Sequence, residues 1–224
     1  MRSAAVVGAA GLGALVFARR KLRNFGATCA ERRATLPGDE IVPGVKSPST
    51  MAVTIDLPPS EVWPWLVQMG CDRAGFYSWD RLDNGGRPSA TEIHPEWQTL
   101  AVGDRIVCTP DGKAWFDVER LEPERVLVLR SSIDVRRRTP FDPAGPRPRF
   151  FVDGVWTFVL DELPQGKTRL VVRSFGIARP RPLLGPANLV FWDPAHVVMQ
   201  TRQLRNLKRL VESPLQEPVL VAAA

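Results

Sequence analysis

The sequence predicts an α+β fold in which a curved antiparallel sheet of about six strands wraps around a long helix near the carboxyl end. Two observations lead to this prediction. Residues 104–177 form a series of segments rich in Val, Ile, Phe and Trp, separated by short turn sequences. Residues 193–212 then repeat apolar side chains at the helical period on one face. An antiparallel sheet with its helices on one side is a layered arrangement that buries both apolar surfaces.

The carboxyl-terminal helix is the element on which the other parts are expected to pack. Asp193 offers a capping carboxylate, and Pro194 suits the first helical position, where its missing N–H costs nothing. The apolar residues predicted to face the sheet are Val197, Met199, Leu204, Leu207, Leu210 and Val211. The charged residues on the opposite side are Arg202, Arg205, Lys208, Arg209 and Glu212. Ser213 and Pro214 end the helix, and residues 214–224 form a tail.

The first strand is predicted over residues 50–57, where apolar and small or polar residues alternate. A helix follows over residues 62–69, with Ser60 as a candidate cap and Gly70 as its end. A second short helix is predicted over residues 77–82, before the turn-rich residues 83–86. The remaining strands are predicted over residues 104–109, 114–121, 125–133, 150–163 and 167–177, with hairpin turns between several of them.

Length, charge and cysteine content limit the class of protein. The 224 residues suit one domain with appendages, and we place the domain at residues 50–213. The net charge of +6 fits nucleic-acid binding, an anionic membrane surface or solubility. The basic loop at residues 136–149 lacks interleaved aromatic residues apart from Phe141, so we predict a surface loop and no nucleic-acid partner. The three cysteines show no paired spacing, which favours a reducing compartment.

Residues 1–23 are predicted to form a membrane anchor. The uncharged residues 4–18 are followed by Arg19, Arg20, Lys21 and Arg23. This run is shorter than the roughly 20 residues that span a bilayer core, but positive charges after it favour an anchor over a cleaved signal peptide. A surface-lying or disordered arm is the third alternative. The positive-inside bias places the domain in the cytoplasm, with a soluble cytoplasmic protein as the alternative. Residues 24–49 lack periodicity and are predicted to be a linker.

Four stretches resemble the SRPBCC superfamily: LPPSEVWPWLVQMG at residues 57–70, GFYSWD at 75–80, PEWQTLAVGD at 95–104 and TRLVVRS at 168–174. That superfamily includes START-like lipid-transfer proteins and polyketide cyclases and dehydrases. The likeness extends over roughly residues 26–210 and is greatest to a bacterial branch that also begins with a hydrophobic segment. It implies a helix-grip fold, in which the sheet curls around the last helix and leaves an apolar cavity. It indicates no catalytic residue.

The candidate cavity residues come from the faces of these elements. Trp156 and Phe158 share one face of their strand, and Phe116 lies on one face of another, although ordinary core packing explains them equally well. The residues predicted to contact a ligand are Tyr77, Trp79, His94, Phe116, Trp156, Phe158, His196 and Met199. Arg130 and Arg173 lie within strands and are expected to face solvent, with an acidic ligand head as the alternative partner.

The titratable candidates indicate little catalytic chemistry. His196 lies in the first turn of the last helix, where the helix dipole disfavours its charged form, so it is either a base near a ligand or an ordinary partly buried histidine. His94 stands between Glu92 and Glu96, but only one other histidine exists to complete a metal site. No metal and no cofactor are predicted. The serines and cysteines match no nucleophile motif.

The sequence therefore predicts binding of a hydrophobic small molecule or lipid between sheet and helix. The basic loops at residues 136–149 and 179–186 are predicted to border the opening and to face an anionic membrane surface. One alternative is a cyclase or dehydrase in which Tyr77, His94 or His196 positions and protonates a poly-keto chain. The other is an interaction protein whose cavity is closed.

Overall fold

The computed structural model describes residues 22–45, 48–180 and 193–213. The predicted anchor lies outside these ranges except for its last two residues, and so do the tail and most of the basic loop at residues 179–186. Within these ranges, no helix combines the length and hydrophobicity that crossing a bilayer requires.

The described residues form one antiparallel sheet and four helices. The strands are β1 (Ser49–Ile55), β2 (Arg105–Val107), β3 (Trp115–Glu122), β4 (Val126–Asp134), β5 (Thr139–Pro140), β6 (Phe151–Leu163) and β7 (Lys167–Arg179). The helices are α1 (Cys29–Arg33), α2 (Pro59–Val67), α3 (Asp80–Asp83) and α4 (Asp193–Glu212), and Pro95–Trp97 forms a 3-10 turn. The strand order is β1-β7-β6-β4-β3-β2, and β5 pairs with β4. The predicted α+β helix-grip architecture, a curved antiparallel sheet with the long carboxyl-terminal helix against it, is confirmed.

One face of the sheet packs against α2 and α4. Alternate residues of the central strands point to this face, as the strand period requires. The fully buried members of this core include Leu127, Leu129, Phe158, Leu170, Leu204 and Leu207. Each such side chain contributes roughly 1.5–3 kcal/mol by leaving water. The apolar face of α4 thus packs on the apolar face that alternate residues of β4, β6 and β7 form.

The opposite face is covered by the residues assigned above to a linker. Thr28 and Glu31 form a reciprocal capping box that starts α1. The backbone N–H of Ala52 donates to the carbonyl of Phe25 at 2.9 Å. Val42 packs with Val126, Val128 and Val155 in a second apolar cluster. This part of the chain therefore carries ordered structure that closes the second face of the sheet.

Arg173 holds this covering segment to the sheet and does not face solvent as expected. Arg173 is 2% exposed, and its guanidinium donates to Asp39 at 2.6 Å, to the carbonyls of Ala34 and Glu31 at 2.8 Å each, and to Thr50 Oγ1 at 3.1 Å. The expectation was wrong because alternation along a strand identifies the face of a residue but not what covers that face.

Arg130 is also paired inside the protein, contrary to expectation. Its guanidinium donates two hydrogen bonds of 2.9 Å to the fully buried carboxylate of Asp153. Ser132 Oγ donates a further bond of 2.9 Å to the same carboxylate. A bidentate pair with an added hydroxyl satisfies a buried charge that would otherwise be costly.

Two helix predictions are corrected. Helix α2 begins at Pro59, with Pro58 in the cap position and no side-chain cap, so Ser60 does not cap it. The second short helix is one turn at Asp80–Asp83 and does not start at residue 77, because Tyr77 adopts a positive φ of 57° that a right-handed helix excludes. The predicted bounds of the last helix agree with α4.

We predict that replacing Arg173 with Met lowers the free energy of unfolding by about 3 kcal/mol, because Asp39 and two carbonyls lose a buried donor. Equilibrium unfolding in urea measures this change. The control is Arg125→Met in the turn after β3, where the side chain is 76% exposed; a change within about 0.5 kcal/mol is expected there. Equal unfolding midpoints for both variants would contradict the role assigned to Arg173.

Candidate functional site

The amino-terminal half of α4 faces a cluster of aromatic side chains. Trp156 on β6 contacts Phe76, Phe116 and Phe158, with ring centroids 6.1, 5.5 and 4.8 Å away. Phe158 is fully buried, whereas Trp156 and Phe116 are partly exposed. The cluster is therefore packed core at Phe158 and partly exposed at Trp156. We call the partly exposed side of the cluster, together with the neighbouring residues of β7 and α4, the aromatic edge. It consists of Phe116, Trp156, Ser174, His196 and Gln200.

Two buried glutamines of α4 connect the helix to this cluster. Trp156 Nε1 donates to Gln200 Oε1 at 2.9 Å, and Gln200 Nε2 donates to Gln203 Oε1 at 2.6 Å. Gln203 Nε2 then donates to the carbonyl of Phe76 at 2.9 Å. Buried polar groups are costly unless bonded, so this chain of hydrogen bonds fixes the indole and both amides in place. Sequence reasoning missed these residues; two glutamines three positions apart on an apolar helical face were the available signal.

His196 forms a second polar link between helix and sheet. Its Nε2 lies 2.6 Å from Ser174 Oγ on β7, and the tautomer of the imidazole decides which atom donates. Ser174 lies directly opposite Trp156 in the β6–β7 register, and His196 precedes Gln200 by one helical turn. The imidazole–hydroxyl pair and the indole–amide pair are therefore neighbours, and both His196 and Trp156 are partly exposed.

The structure brings four of the predicted ligand contacts to this region: Phe116, Trp156, Phe158 and His196. Met199 is a partly exposed neighbour of Gln200 on α4. The aromatic edge thus combines an apolar surface with an imidazole, a hydroxyl and an amide. That composition suits an apolar molecule with one polar end.

The other three predicted contacts lie elsewhere. Tyr77 is buried in the core, where its hydroxyl accepts a 2.8 Å hydrogen bond from Gln68, and burial raises its pKa above the ordinary value. Trp79 precedes α3 and is 42% exposed, and the guanidinium of Arg202 on α4 stacks on its ring.

His94 stacks on Trp97 at 4.2 Å between centroids and lies 3.2 Å from Glu96, on the surface. Across the described ranges, no group of three or more His, Cys, Asp or Glu residues is arranged to hold a metal ion.

No protein-family model matches this chain. No curated protein sequence matches it either. Among solved structures, a protein from Arthrobacter aurescens is 14% identical, covers 82% of this chain and 99% of its own, and has a TM-score of 0.44. A protein from Mycobacterium smegmatis has 12% identity, 75% and 91% coverage and a TM-score of 0.45. A protein from Mesorhizobium loti has 19% identity, 72% and 96% coverage and a TM-score of 0.41. Sequence identities and TM-scores this low indicate nothing about function. The sheet order and the helix packing described above define the fold.

A separate cleft of about 470 Å³ opens between the loop after α2 and the turn after β2. Its lining residues are Cys71, Asp72, Asn84, Gly85, Arg87, Val107, Thr109, Pro110 and Gly112. None of the predicted ligand contacts lies there.

Beside this cleft, Asp83 is buried and neither carboxylate oxygen has a hydrogen-bond partner of good geometry. Burial raises the pKa of Asp83 to about 6.

We predict that Asp83→Asn stabilises the protein at pH 7 by about 2 kcal/mol, because the ionised carboxylate is unfavourable where it is buried. The folded state binds the proton more tightly than the unfolded chain, whose ordinary pKa is 3.8. The contribution of Asp83 to the wild-type free energy of unfolding should therefore be most favourable below pH 3.8 and be lost as the pH rises through about 6.

Urea unfolding of wild type and Asp83→Asn across this pH range measures the difference. Asp72→Asn, at a neighbouring exposed carboxylate, is the control and should change nothing. A difference between wild type and Asp83→Asn that does not grow with pH would show that Asp83 is ionised without penalty.

Proposed function

We propose that this protein binds a small apolar molecule or a lipid chain at the aromatic edge. One observation carries the proposal: two partly exposed aromatic rings stand beside the partly exposed His196–Ser174 pair, where the first turns of α4 meet β6 and β7. Simple core packing accounts for a buried ring such as Phe158, but it does not require an imidazole–hydroxyl pair at an exposed edge. Recognition of a ligand with an apolar body and a polar end accounts for both features.

The packing limits where such a ligand lies. Leu129, Phe158, Leu204 and Leu207 are fully buried in one core cluster, so the deep part of the layer is filled by the protein itself. The apolar body of the ligand would contact Trp156 and Phe116 by stacking. Its polar end would meet His196, which is partly exposed one helical turn before Gln200.

We also propose membership of the SRPBCC superfamily. The four sequence stretches given above and the helix-grip topology support it together. All four stretches contribute to the observed architecture: the first contains α2, the second leads into α3, the third begins with the 3-10 turn and the last lies within β7. The resemblance supports a ligand-binding scaffold and leaves the nature of the ligand to the site.

A cyclase or dehydrase activity is the second candidate function. It is favoured by the distance of 2.6 Å between His196 Nε2 and Ser174 Oγ, since an imidazole held by a hydroxyl beside an aromatic surface can move a proton on a bound molecule. A His196→Asn variant that binds ligand as well as wild type but no longer converts it would support this activity. A wild type that returns the bound compound unchanged would support binding alone.

We expect Trp156→Ala to weaken binding of the fluorescent probe 1-anilinonaphthalene-8-sulfonate by about ten-fold, because a central aromatic contact is removed. Fluorescence titration gives the affinity, and thermal unfolding checks that the variant is folded. Trp156→Phe, which keeps a ring at the site, should retain most of the affinity. Native mass spectrometry of protein purified from its own host should reveal a co-purifying hydrophobic compound.

The matched control is Trp115→Ala, because Trp115 points to the other face of the sheet, where Arg105 stacks on it at 4.2 Å. Equal probe affinities for the two alanine variants would place binding away from the aromatic edge. Wild-type protein that carries no compound and binds no probe would instead favour an interaction protein with a closed interior.

A further inference from the structure

The outward side of α4 carries a row of side chains that are not part of the aromatic edge. Val198, Arg202, Arg205 and Arg209 are spaced by four, three and four residues, so they lie along one side of the helix. Val198 is 55% exposed, and the three arginines are exposed as well. An exposed apolar side chain thus stands at one end of a basic stripe.

Helix α3 extends this stripe with larger apolar groups. The guanidinium of Arg202 lies 3.9 Å from the ring centroid of Trp79, and its Nε donates to the carbonyl of Ser78 at 2.9 Å. Trp79 is 42% exposed and Leu82 is 69% exposed, one helical turn apart. Arg81 is exposed between them. The stripe and this turn form one surface, the basic-aromatic face: Trp79, Arg81, Leu82, Val198, Arg202, Arg205 and Arg209.

Asp80, which stands between Trp79 and Arg81 in the sequence, does not neutralise the basic-aromatic face. Asp80 Oδ1 accepts hydrogen bonds from Ser89 N at 3.0 Å, from Ser89 Oγ at 2.7 Å and from Asn84 Nδ2 at 3.2 Å. Its carboxylate is therefore directed at the loop on the protein side. Lys208 Nζ, on another side of α4, is paired with Glu212 at 2.6 Å and stands apart from the stripe.

The amino-terminal part of the chain joins the domain at this same face. Arg205 stacks over Phe25 at 5.1 Å, and the N–H of Phe25 donates to the carbonyl of Leu22, whose side chain is 55% exposed. In the sequence, Leu22 is preceded directly by Arg19, Arg20 and Lys21 and by the uncharged residues 4–18. The first described residues of the chain therefore lie against the basic-aromatic face, and they follow a basic run in the sequence.

We propose that the basic-aromatic face docks onto the surface of an anionic lipid bilayer. Arginines near such a surface are attracted by its negative potential, and Trp and Leu side chains at the same level enter the interfacial region. A nucleic acid would also attract the arginines, but it would leave Leu82, Val198 and Leu22 without an apolar partner. One side of the Trp79 ring is, moreover, already covered by Arg202. This face is distinct from the basic loop at residues 136–149, which follows β4 in the sheet.

The test is flotation of the full-length protein with vesicles of phosphatidylcholine, with and without phosphatidylserine. Wild type should partition preferentially onto the anionic vesicles. The double variant Arg81→Glu with Arg205→Glu should lose at least about ten-fold of this partitioning, because two attractive charges become repulsive. A second pair, Arg81→Glu with Arg209→Glu, leaves the Phe25 contact intact and should behave in the same way. Thermal unfolding confirms that both variants are folded.

The matched control makes the same charge change in the basic loop: Arg136→Glu with Arg137→Glu. Its partitioning onto anionic vesicles should equal that of wild type. Leu82→Ser should weaken partitioning several-fold without altering the net charge, since an apolar side chain no longer enters the interface. Equal losses in the face and loop variants would show a response to net charge alone and overturn the proposal. Face variants that bind like wild type, no preference of wild type for phosphatidylserine, or retention on RNA in place of vesicles would overturn it as well.

Discussion

The structure depends on covering both faces of a sheet whose two longest strands, β6 and β7, each run for 13 residues. A sheet with one bare apolar face is not stable in water, so each face needs its own layer. Helices α2 and α4 cover one face by apolar packing. Residues 24–45 cover the other, and there the contacts are a small valine cluster and bonds to buried or half-buried arginines. Arg169 also lowers the pKa of Glu31 to about 2, so this part of the covering layer stays charged and bound over the ordinary pH range.

The two layers differ in what they permit. The layer of residues 24–45 is tied to the sheet by directional hydrogen bonds at Arg169 and Arg173, which hold the chain in one position. The layer of α4 is tied by apolar contacts and by the Trp156–Gln200 and Ser174–His196 links near its beginning. These polar links hold helix and sheet together beside aromatic rings that remain partly exposed. The candidate site is assigned to this end for that reason, while Leu204, Leu207 and Val211 pack into the core further along α4.

The positive charge of the chain falls into two groups with separate roles. Arg130 and Arg173 are inside the protein, paired with Asp153 and Asp39, and they contribute to the structure alone. Arg81, Arg202, Arg205 and Arg209 are exposed and lie together with Trp79 and Leu82. A net charge of +6 by itself says nothing about this division. The grouping of the exposed arginines with exposed apolar side chains, and not their number, distinguishes a docking surface from a solvated one.

The sequence alone determined the order of the longer strands and helices after residue 49, the bounds of the last helix and the inward position of residues such as Phe116, Trp156 and Phe158. Those features follow from periods of two and 3.6 residues, which are local properties of the chain. Only the tertiary structure decided that Arg173 is buried, that Tyr77 belongs to the core and that Gln200 and Gln203 face inward beneath the rings. The Arg173–Asp39 bond joins residues 134 positions apart, and a local period identifies the face of a residue without naming the distant segment that will cover it.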